Sequence, residues 1–131
     1  MIKKINASVM EIIVLHKFLH DEIEENMNSD RGYPAIVEAL MIKNYKLLTP
    51  IMREIEKEKN ELLETYGEKQ PDGTFALNSS DTEKFQTFNQ ENNKLMIKIK
   101  NIKIRPIKME YFERFPSLGF EIMRRLDFLI S

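Results

Sequence analysis

The chain has 131 residues, enough for one domain and too few for two. Its 42% hydrophobic content supports an ordinary core and excludes a disordered chain, while the absence of cysteine excludes disulfides and thiolate metal sites. A formal net charge of −1 argues against a uniformly basic nucleic-acid binder, and no apolar run is long enough to span a bilayer.

Met1-Ile2-Lys3-Lys4 resembles a signal peptide for four residues, after which charges and a polar turn interrupt the apolar region. No targeting segment is expected, and the expected location is the cytoplasm. Residues 2–6 can form a short edge strand. Ser8-Val9-Met10-Glu11 reads as a capping box, in which the Ser hydroxyl and the Glu carboxylate each satisfy the other residue's N–H. The helix it opens runs to about Asn26. Ile12, Leu15, Leu19 and Ile23 form its apolar face, widened by Val9, Ile13 and Phe18. Asn26 to Tyr33 is a polar turn, and Pro34 suits the first turn of a second helix. The short connection implies an antiparallel helical hairpin.

The second helix carries the longest unbroken pattern in the chain. Val37, Met41, Asn44, Leu48, Ile51, Ile55, Glu58 and Leu62 recur at steps of four and three, six of the eight being apolar. Ile36, Leu40, Leu47 and Met52 widen the face of the first half, which is expected in the core. The second half keeps a narrow seam among charges and is expected to be partly solvated. A continuous helix of this length would span about 50 Å, longer than a domain of this size is wide. Pro50 lacks an N–H and crowds the carbonyl of Lys46, so two helical segments with a bend near Lys46–Pro50 are predicted. Gly67 suits a left-handed C-cap.

Gln70-Pro71-Asp72-Gly73 is a turn, with Phe75 and Leu77 as anchors for the loop. Ser80-Asp81-Thr82-Glu83 reads as a second capping box, opening a helix with Phe85, Phe88, Asn92 and Leu95 on one face. Ile97-Lys98-Ile99-Lys100 and Ile102-Lys103-Ile104-Arg105 then alternate apolar and basic, out of phase by one residue. A bulge or tight bend at Lys100-Asn101, giving one bulged strand or two short ones, would restore a common face. Pro106 stops regular pairing. Met109–Phe115 reads as a helical turn, and Pro116 precedes a final helix with Leu118, Ile122, Leu126 and Leu129 on one side. The expected fold is mainly α and forms one domain over residues 1–131. A helical hairpin covers 8–66 and a third helix 81–95. A minor β element covers 96–105 and a C-terminal helix 117–130.

The order of these features is similar to that of a known family. Leu62 to Lys69 ends a long charged helix, Asp72-Gly73 and a helix with Phe85 follow, and the alternating isoleucines lead to Leu126-Asp127-Phe128-Leu129-Ile130. Over about residues 40–130 the chain resembles small phage and prophage proteins of Gram-positive bacteria, described only as a domain of unknown function. The basic strand and Asn92-Asn93 depart from that family, where a more acidic segment is expected. The resemblance carries no activity. It implies a phage-encoded accessory protein acting in the host cytoplasm.

Three sets of residues are candidates for chemistry. His16, His20 and Glu24 recur at steps of four on one side of the first helix, a spacing that can hold zinc. Lys17 stands where the zinc-protease motif has its Glu, so a solvated helix face is the favoured reading and no metal is assigned. Asp21, Glu22, Glu24 and Glu25 place negative charge at the unfavourable end of a helix, either a solvated turn or a patch facing a basic partner. Lys94, Lys98, Lys100, Lys103, Arg105 and Lys108 form a run without an acidic residue. On one strand face they can contact phosphates, although no aromatic stands among them to stack bases. The favoured reading is that the lysines guard a strand edge against unwanted pairing. Asn44 in the seam can set helix register or bond a loop carbonyl.

The function expected is that of a non-enzymatic phage or prophage accessory protein, without a cofactor, that binds a host or phage protein and can act as its inhibitor. The alternative is a nucleic-acid-binding regulator using Lys94–Lys108, and third is a helix-borne metal enzyme. No membrane partner is expected. Self-association along the long helix is a further option.

Overall fold

Two hydrogen bonds start the first helix. The Ser8 N–H donates to Glu11 Oε1 at 3.0 Å and the Glu11 N–H to Ser8 Oγ at 3.1 Å, the predicted capping box. The structure is a computed structural model that describes residues 2–29, 32–111 and 129. Strand β1 (Lys3–Ser8) feeds directly into α1 (Val9–Ser29), three residues longer than expected. Val9, Ile12, Leu15, Phe18 and Leu19 are buried, and Ile13 and Ile23 pack at the margin, so the expected face is the observed one.

Helix α2 (Ala35–Tyr66) begins after Pro34, whose carbonyl accepts the Glu38 N–H at 3.0 Å. Pro34 is therefore the cap and not part of the first turn. Val37, Met41, Asn44, Leu48 and Ile55 are its buried residues, all from the predicted seam, and four of them lie in the first half. Ile36, expected to widen that face, is instead 47% exposed. The antiparallel hairpin is fixed by its cross-contacts: Glu22 accepts from Tyr33 Oη, and His16 meets Thr49.

The predicted break at Pro50 does not occur, and α2 is one helix of 32 residues. Pro50 stands on the exposed side, opposite a seam in which Leu48 and Ile55 are both fully buried. The missing donor therefore costs a bond on the face that water reaches, while packing holds the turns on either side. Gly67 is also corrected. Its φ of −92° and ψ of 173° are extended, not left-handed, because the chain passes straight into β2 (Glu68–Lys69). Glycine is needed there for space: a Cβ would lie 2.5 Å from the Leu63 carbonyl oxygen.

Strand β2 pairs antiparallel with β3 (Phe75–Ala76) across the predicted turn, where Gly73 has φ of 88° and its N–H donates to the Gln70 carbonyl. Helix α3 (Thr82–Ile97) is capped by Asp81, whose Oδ1 accepts from the Lys84 N–H at 3.3 Å, so the cap lies one residue beyond the Ser80 expected. Only Leu95 of α3 is buried, and Phe85, Phe88 and Asn92 are half-buried.

The alternating segment becomes one regular strand, β4 (Ile99–Ile104), antiparallel to β1 from Ser8↔Ile99 to Lys3↔Ile104. The register is continuous, and the predicted bulge is absent. The phase conflict is resolved because Ile97 belongs to α3 and Ile99 faces outward. The inner row is Lys100, Ile102 and Ile104, and the last two are buried. These pack with Ala7, α1 and the α2 seam into one core that also takes in Ile107 and Leu129. Asn44 closes it: Nδ2 donates to the carbonyls of Leu40 and Arg105, both at 2.9 Å, and Oδ1 accepts the Arg105 N–H at 2.7 Å. The side chain thus satisfies both backbone groups of Arg105 just past β4. Of the turn expected over Met109–Phe115, Met109–Tyr111 is a 3-10 turn, and residues 112–115 lie outside the described residues. The expected helix over 117–130 lies outside the described residues except for buried Leu129, whose carbonyl accepts the Ile107 N–H. The architecture is mainly α with minor β.

Candidate partner-binding surface

The basic run does not present one face. Lys94 caps no strand: it lies on α3, 3.1 Å from Glu91. Lys98 and Lys100 converge on one carboxylate of α2, Glu58, at 3.7 and 3.1 Å. The Lys100 side chain is only 16% exposed, so this bond ties the inner row of β4 to α2. Lys108 approaches Glu110 at 4.0 Å. Arg105 is fixed through its backbone by Asn44. Lys103 is left, on the outer face and opposite Lys4.

The acidic set also divides. Asp21 receives hydrogen bonds from His20 and Lys17, which hold its carboxyl below the usual carboxylate range. Glu22 accepts from Tyr33 Oη at 2.9 Å and serves the hairpin turn. Glu24 lies 3.7 Å from His20, and Glu25 is also engaged.

His16, His20 and Glu24 are not gathered into a ligand set. His16 turns toward α2 and stacks on Tyr45 with ring centroids 4.5 Å apart. Thr49 Oγ1 donates its proton to the Tyr45 carbonyl at 2.8 Å, so at 3.2 Å it accepts from His16 Nε2–H. Burial foremost, then the nearby His20, pulls the His16 pKa below its usual value, against the pull of Glu56. Among the described residues no three His, Asp or Glu side chains come together as metal ligands.

The feature left unexplained by the fold is apolar. Ile97, Ile99, Val14 and Met10 are 73%, 61%, 59% and 50% exposed. They belong to the segments that meet where β1 turns into α1 and α3 into β4. The corner is held by the Ser8↔Ile99 pair and by the Val9 N–H donating to the Lys98 carbonyl at 2.9 Å. Met10 and Val14 follow at the one-turn spacing of α1, on the side away from Ile12. An open groove of about 720 Å³ runs along that side, its described lining including Ile13, Phe18, Glu11 and Lys17.

These four residues were not singled out from the sequence. The α1 pattern already places Met10 and Val14 off the buried face, but an exposed apolar residue on its own is ordinary. That their segment meets the one carrying Ile97 and Ile99 depends on a strand pairing about 90 residues apart in the chain. Comparison with protein-family models, characterised proteins and solved structures finds no match. No described helix is long and apolar enough to cross a membrane.

Proposed function

We propose that this chain is a non-enzymatic accessory protein that acts by binding another protein at the Met10, Val14, Ile97, Ile99 corner. One observation carries the reading: four large apolar side chains, each at least half exposed, lie around a junction whose backbone is fixed. Apolar surface gathered in one place favours a protein contact, whereas the same residues scattered singly would not. The resemblance to small phage proteins supports a partner in the host cytoplasm. The long-helix seam is a poorer contact, since α1, α3 and the sheet already cover it.

The nucleic-acid reading loses its support with the basic run, because Lys98 and Lys100 are drawn to Glu58. The test is recovery of a partner by the tagged chain from nuclease-treated host lysate, beside the Ile97→Lys, Ile99→Lys double variant. A stoichiometric protein retained by the parent and lost from a folded double variant is expected. Equal recovery by both, or recovery abolished by nuclease, would overturn the assignment.

A further inference from the structure

On the same side of the sheet as Ile99, β1 and β4 place Lys4 directly opposite Lys103 and Asn6 opposite Asn101. Opposed residues of an antiparallel pair have Cβ atoms about 5 Å apart, and like charges there are destabilising. Both lysines are exposed, and neither has an ion-pair partner among the described residues. A lysine guards an edge from any exposed position on its strand. Placing two in register adds repulsion that a staggered arrangement avoids. One step along the sheet, Asn101 Nδ2 donates to Asn6 Oδ1 at 3.1 Å. The Asn6 NH2 group makes no bond within the described residues. Two ammonium groups and an amide donor thus form a row with no anion among the described residues, and Ile99 lies at its end.

We infer that the outer face of the β1–β4 sheet receives carboxylates from an acidic, partly apolar segment of the bound protein. The inference rests on the protein-binding reading and adds the chemistry of the partner. Charge complementarity selects an acidic ligand. Ile99 on the same face, and the absence of an aromatic for base stacking among the described residues of that face, select a polypeptide over a nucleic acid.

The test uses the full chain, labelled with 15N, and a short synthetic peptide of alternating Glu and Leu. Amide shifts are expected at Lys4, Asn6, Ile99, Asn101 and Lys103. The Lys4→Gln, Lys103→Gln variant should bind about tenfold more weakly, the effect of losing two exposed ion pairs. The Lys43→Gln, Lys57→Gln control on α2 should bind as the parent does. Shifts elsewhere only, an equal loss in the control, or tighter binding of a single-stranded oligonucleotide would overturn the inference. A second variant, Lys4→Glu, should raise the melting temperature by pairing with Lys103 while losing the peptide. A lowered melting temperature would show that the two lysines do not oppose each other at a cost, and would overturn it too. If the natural partner is recovered equally by the parent and by Lys4→Gln, Lys103→Gln, this inference fails while the protein-binding reading stands. If the parent recovers no partner, it is that reading that fails.

Discussion

Asn44 shows how one residue can join distant parts of this chain. Its amide bonds both backbone groups of Arg105, 61 residues away. Replacing it with Leu would fill similar space but leave the part-buried Arg105 N–H and C=O without these partners. Each such loss costs about 1–3 kcal/mol, so Asn44→Leu should lower unfolding free energy by at least about 2 kcal/mol in a denaturant titration. A change under about 0.5 kcal/mol would mean that water replaces the amide. The seam pattern was enough to bury Asn44 and allowed a bond to a loop carbonyl, but it did not identify Arg105, because the contact lies between a helix and the end of a strand. A pH dependence of stability is expected through His16. Its pKa is lowered in the fold, mainly by burial, so the folded chain favours the neutral ring. Its contribution to stability is present above the ordinary value of 6.5 and is lost as pH falls through the lower folded-state value. His16→Gln, which can still donate to Thr49, should flatten the decline of melting temperature between about pH 8 and about pH 5. An unchanged slope would place the titration elsewhere.

At the scale of elements, α2 asks why a helix survives an internal proline. Apolar packing on one face outweighs a missing bond on the other, which a propensity scale cannot register. Pro50→Ala should restore the donor, worth about 3 kcal/mol against proline in a helix interior. The freer unfolded chain returns up to about 1 kcal/mol of that. A gain of about 2 kcal/mol by chemical denaturation is expected, and no gain would show that the helix has adapted fully to proline. Helix starts were legible to within a residue because their signals are local: the Ser8 and Glu11 box is found as read, and the α3 cap moves from Ser80 to Asp81. Gly67 and β4 were misread for a shared reason. The left-handed cap and the bulge are local solutions, whereas a Cβ at Gly67 would collide with Leu63 and β4 takes its phase from β1. Lys100 on the inner row looked like a break in the pattern because Glu58, which compensates it, lies 42 residues earlier.

In the whole molecule, α2 is the spine, and α1, α3 and the β1–β4 sheet pack on it. Placing the strand pair against two helix junctions leaves Met10, Val14, Ile97 and Ile99 outside the core while fixing the backbone beneath them. Periodicity made the core legible and left this corner hidden, since its members come from α1, α3 and β4. A photocrosslinking amino acid placed at Ile97, the most exposed of the four, tests the corner most directly in living cells, with Lys57 on the charged side of α2 as the control position. One discrete crosslinked protein from position 97 and none from position 57 is the expected result. No adduct at 97, or the same adduct from both positions, would contradict binding at this corner.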